Sequence, residues 1–99
     1  MLDDDYIKSG EQARRINQSL GFVPLKGTPD QQIHGEVIRR NINKRLLADM
    51  SLMDSDIDTI EKFIKSIDDP GWWINRKYIS IKQLYNLATK QQEIDHDKK

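Results

Sequence analysis

Side chains suited to acid–base, metal or phosphate chemistry are few in this 99-residue chain, and their spacing fits none of those tasks. The two histidines, His34 and His96, have no second His four residues away and no carboxylate at a zinc-site spacing. Both are therefore expected to be ordinary solvent-exposed histidines. Asp54, Asp56 and Asp58 alternate like the first ligands of a calcium loop. Thr59 and Lys65, however, stand where such a loop needs a Gly and a bidentate Glu. The three acids read instead as the negative start of a helix. Lys26-Gly27-Thr28 matches the tail of a phosphate loop but lacks the upstream glycine spacing and the preceding strand. With no cysteine there is no thiolate nucleophile, thiolate metal site or disulfide. The expectation is a protein that is not an enzyme and holds no metal or cofactor.

Binding chemistry is better represented. Trp72 and Trp73 are the only tryptophans and are adjacent. Neighbouring residues diverge by about 100° on a helix and by half a turn on a strand, so one indole can anchor the core while the other points elsewhere; the alternative is that both fill the core of a bundle short of large apolar groups. Arg76, Lys77 and Tyr78 follow at once. Aromatic residues and Arg dominate binding hot spots, and Arg76 or Lys77 can stack on an indole face. Trp72, Trp73, Arg76, Lys77 and Tyr78 are thus the expected protein-binding residues. A second candidate is the basic run within residues 36–47, where Arg39, Arg40, Lys44 and Arg45 are interleaved with Asn41 and Asn43. Arg and Asn read base edges, and a helix fits the major groove. On a helical wheel these residues spread around most of the circumference, whereas a reading face would group them.

Charge divides the chain more sharply than its zero net value suggests. Residues 51–71 carry six acids against two cations, and residues 72–99 carry six cations against three acids. Zero net charge argues against both a strongly basic nucleic-acid binder and an acidic nucleic-acid mimic. Mean hydropathy is −0.77, and no apolar run reaches the roughly 18 residues of a membrane span. Asp3, Asp4 and Asp5 near the start are the wrong charge for a secretory signal, so the expected setting is cytoplasmic.

The elements that position these groups read as helices. Leu2, Tyr6, Ser9, Ala13, Ile16 and Leu20 make one narrow stripe over 2–20. Gly21 suits the left-handed position beyond its end, with Phe22 folding back on the last turn. Gly10 is a weak point, and a start at Ser9 is an alternative. After a Pro- and Gly-broken loop, Thr28-Pro29 opens a helix over 29–49. Its apolar residues fall on two sides: Ile33, Val37, Leu47 and Ala48 against Ile38, Ile42, Leu46 and Met50. It is either a central helix or one with a surplus face for self-association, unless Gly35 bends it. Ser55, with Asp58, is expected to cap a helix over 55–67, supported by Asp58/Lys62 and Glu61/Lys65 pairs. Asp68-Asp69-Pro70-Gly71 ends it. Ser80 and Gln83 open a helix over 80–91, and residues 93–99 read as a flexible tail. The fold class is all-α: one domain spanning 1–99, a compact bundle of about four helices.

The string Trp72-Trp73-Ile74-Asn75-Arg76, placed after an amphipathic helix, resembles a Trp-Trp-Ile element of small helical phage and bacterial proteins of unassigned role. Asp69, Trp73, Ile81, Gln83 and Tyr85 are similarly placed to residues of phage proteins that sequester cyclic-oligonucleotide signals. Each resemblance covers at most a fifth of the chain. The small size, the lack of catalytic groups, the two-faced helix over 29–49 and the Trp pair point to a regulator or inhibitor acting on another protein, and the first resemblance implies a phage or mobile-element setting. The second implies an oligomeric nucleotide-signal sponge. A DNA- or RNA-binding regulator using the basic helix is the remaining alternative.

Overall fold

A computed structural model describes residues 2–97, and among these there are five helices and no strand. They are α1 (Asp4–Ser19), α2 (Pro29–Ala48), α3 (Asp54–Lys65), α4 (Pro70–Asn75) and α5 (Ile81–Asp97). The all-α bundle follows from how each boundary is written in the chain.

Asp3 caps α1 by accepting from the Tyr6 amide at 2.8 Å, and Asp4 and Asp5 occupy the positive first turn. The helix runs straight through Gly10 and does not start at Ser9. A Cβ at Gly10 would lie 2.6 Å from Ile33 Cγ2, so the missing side chain is what lets α1 and α2 close together. Beyond Leu20, Gly21 takes φ 95°, a left-handed value that favours glycine. The Gly21 amide donates to the Gln18 carbonyl, and the Phe22 amide to that of Asn17 at 3.0 Å, a complete Schellman closure. Phe22 is thereby turned into the core.

The loop that follows is clipped to the far end of α3. The Val23 amide donates to the Lys65 carbonyl and the Lys26 amide to that of Asp68. Thr28 and Gln31 then form a reciprocal capping box, with Pro29 in the first turn of α2. α2 is the central helix: it packs on α1 and α4 and touches α3. Gly35 does not end the helix. A Cβ there would meet Leu25 Cδ1 at 2.6 Å and Pro70 Cβ at 3.3 Å.

α3 starts one residue before the expected Ser55. Met53 holds the cap position without a side-chain hydrogen bond. Ser55 already lies inside the first turn, too late to cap. The Asp58–Lys62 and Glu61–Lys65 pairs form at 3.1 and 3.0 Å. The helix stops at Lys65, short of Ile67. α4 was not expected. Asp69 accepts from the Gly71 amide at 2.9 Å and Pro70 takes the first turn, so Pro-Gly begins a helix here as well as ending the one before. The Ser80–Gln83 box opens α5, with both bonds at 3.1 Å. α5 continues to Asp97, through most of the expected tail; residues 98 and 99 lie outside the described residues.

The core runs between α2, α3, α4 and α5. Ile42, Leu46, Ile60, Ile64, Trp73 and Leu84 are fully buried in it, joined by Phe22, Leu25 and Ala88. No helix is long and apolar enough to cross a membrane among the described residues.

Candidate functional site

The Trp segment resolves into one structural and one surface aromatic. Trp73 is fully buried, and its indole Nε1 donates to the Ile67 carbonyl at 3.2 Å. It therefore leaves the set of expected binding residues: it is an anchor of the core and offers a partner no surface. Trp72 lies edge-on to it, with ring centroids 5.0 Å apart, and edge-on to Phe63 at 6.0 Å. Trp72 remains half-buried. The Arg76 guanidinium sits 4.7 Å over its ring, and Arg76 Nη1 donates to the Trp72 carbonyl at 3.4 Å. Arg76 thus fills the stacking role that the sequence offered to either cation. Lys77 lies 5.1 Å from the ring of Tyr78 instead, and Tyr78 is 85% exposed.

Arg76 and Tyr78 line a cleft of about 640 Å³ between the α4–α5 turn and α5. Arg76 and Lys90 supply its positive charge, and Asn75, Gln83 and Asn86 supply amides. Ile79, Leu87 and the Tyr78 ring supply apolar surface. No Asp or Glu occurs between Asp69 and Glu93. The cleft is therefore cationic by local sequence, although the chain as a whole is neutral. From the side, Arg45 Nη2 donates to the Ile79 carbonyl at 3.0 Å and ties the turn to α2.

The basic stretch of α2 does not form a face. Arg39 is fully buried. Its Nε donates to Glu36 Oε1 at 2.7 Å, its Nη2 to the Val23 carbonyl at 2.8 Å, and its guanidinium lies 5.1 Å from the Phe22 ring centroid. Glu36, also buried, accepts from Asn17 Nδ2 at 3.0 Å and pairs with Arg14 at 3.5 Å. Arg39 is thus removed from the nucleic-acid set: its charge is spent holding α2 to α1 and to the loop. Arg40 and Lys44 border a recess of about 240 Å³ against α1, whereas Arg45 reaches the α4–α5 turn. Successive residues 100° apart cannot share a groove-reading surface when one points inward and the others diverge.

His34 is not freely exposed as expected. It is half-buried, with Nδ1 2.9 Å from the Tyr6 hydroxyl and the two rings 5.1 Å apart. Burial raises the Tyr6 phenol above its usual range. The side chain of His96 lies outside the described residues. Among the described residues no group of three or more His, Asp or Glu is placed to hold a metal ion.

The chain matches no protein-family model, no curated protein and no solved structure. The two resemblances of the Trp segment rest on the residues quoted for them alone.

Proposed function

We propose that this chain is a small non-enzymatic binding protein that acts by direct contact with another protein, as a regulator or inhibitor. Its contact surface is the α4–α5 corner formed by Trp72, Arg76, Lys77 and Tyr78. One observation carries the reading. Tyr78 is 85% exposed and lines a partly apolar cleft together with Arg76, which is itself stacked over Trp72. A large aromatic left in water at a cleft that it shares with an Arg is the composition of a binding hot spot. The phage or mobile-element setting rests on the resemblance of the Trp-Trp-Ile string. Self-association has its own candidate surface, at the α2–α3 junction. Met50 is 98% exposed there and Leu47 and Met53 are exposed nearby.

The test is affinity capture from the native host's lysate with and without nuclease, followed by titration of the recovered protein. Tyr78→Ala is expected to weaken its binding by about 2 kcal/mol, roughly thirtyfold. Arg15→Ala, on the exposed side of α1, is expected to leave it unchanged. Recovery of nucleic acid alone, released at high salt, would sink the protein-contact reading.

A further inference from the structure

We infer that the α4–α5 cleft takes an acidic peptide segment: a few Asp or Glu side chains flanking one bulky apolar residue. This rests on the protein-contact reading and names the chemistry of the partner's contribution.

Charge accounting is the first ground. Arg14, Lys26, Arg39, Lys62 and Lys65 each have a carboxylate within 4 Å. Arg76 and Lys90 have none among the described residues, and the segment that carries them contains no acid from Pro70 to Gln92. The cleft therefore offers two cations with no internal counter-charge.

Preorganisation is the second ground. Arg76 stacks 4.7 Å over the Trp72 ring, with one long internal hydrogen bond. The remaining donors of its planar fork are fixed for a carboxylate before any ligand arrives. The third ground is the lining between the cations. Side-chain amides of Asn75 and Asn86 can both donate to and accept from a peptide backbone. Leu87, with its neighbours, gives an apolar seat for one side chain.

A polynucleotide suits the site less well. It needs a continuous run of cations along its phosphates. The cleft presents two cations, Arg76 and Lys90, which matches a short acidic segment rather than a run of phosphates.

The experiment is fluorescence anisotropy with the full chain and a labelled octapeptide of Glu residues around a central Leu. It is run against the same peptide with Gln for Glu, and against a dodecathymidylate competitor. The expected result is saturable binding of the acidic peptide, at least tenfold weaker for the Gln peptide and weaker as salt rises. Lys90→Glu, a surface change on α5 that leaves the core untouched, is expected to weaken it at least fivefold. Arg76→Lys, which keeps the charge but not the fork, is expected to weaken it less. Equal binding of the Gln peptide, no binding at millimolar concentration, or tighter Lys90-dependent binding of the oligonucleotide would each overturn the inference. If the acidic peptide fails while the captured partner still depends on Tyr78, only the acidic occupant is wrong. If the captured partner is also indifferent to Tyr78→Ala, the contact surface itself is misassigned.

Discussion

Two arginines of this chain each lie over an aromatic ring, and they do opposite things. Arg39 sits 5.1 Å from the Phe22 centroid, fully buried, with Glu36 and the Val23 carbonyl taking its hydrogen bonds. Arg76 sits 4.7 Å from the Trp72 centroid, half-exposed, with a single long bond to a carbonyl. The ring contact is common to both; the difference lies in where the other donors go. In the α1–α2 seam Arg39 is answered from within the chain by Glu36 and the Val23 carbonyl, so it is a structural clamp. At the α4–α5 corner the charges are unanswered, and the arginine is free to meet something else. Cation–ring stacking therefore says nothing about function until the remaining donors are traced.

The sharpest way to break this contrast is to truncate both arginines. Arg39→Ala strands the buried Glu36 with only Asn17 and the more distant Arg14, and is expected to cost about 3–5 kcal/mol in urea unfolding. Arg76→Ala is expected to cost under about 1 kcal/mol, the worth of a part-exposed cation–ring contact, while weakening partner binding. Equal losses would mean that both residues are structural. Next in size is Gly10→Ala in the same seam. Ala favours helix by about 1 kcal/mol, yet its methyl meets Ile33 at 2.6 Å, and overpacking of that kind costs about 1–3 kcal/mol. A net fall in melting temperature is expected. A rise would show that the α1–α2 contact is looser than drawn. The smallest effect belongs to the surface pair on α3. Asp58→Ala removes an exposed bridge to Lys62 and is expected to change stability by under about 0.5 kcal/mol, less still in high salt.

Two helix starts were legible from the capping box written just before them. Thr28 with Gln31 and Ser80 with Gln83 both form the bonds their spacing promises. That the two tryptophans diverge was legible, because adjacent residues must; whether one or both entered the core depended on packing. α4 was missed because Pro70-Gly71 reads as a stop. Asp69-Pro70 has the same form as Thr28-Pro29, and that likeness was the available signal. The burial of Arg39 was missed for a deeper reason. Glu36, Arg39 and Asn43 are spaced by three and four, which is the spacing of a core stripe, but they are polar. Meanwhile Leu47 and Met50, apolar and therefore expected inside, are exposed. Hydrophobic pattern alone inverts the two sides at those positions, because it has no term for polar groups that satisfy one another. That satisfaction is incomplete. The Asn43 side chain is buried with neither its oxygen nor its nitrogen hydrogen-bonded, and Arg39 Nη1 is likewise unpartnered.

The edge-on tryptophans have an optical consequence. Two identical chromophores with ring centroids 5.0 Å apart and planes at 78° couple their electronic transitions. In a chiral frame that coupling splits the absorption into paired bands of opposite circular dichroism. The couplet belongs to neither indole alone. It vanishes when either is replaced by Phe, even where the fold survives. It also shifts if Trp72, the half-buried member of the pair, is turned against buried Trp73. The molecule thus carries a label-free readout of its own α4–α5 corner.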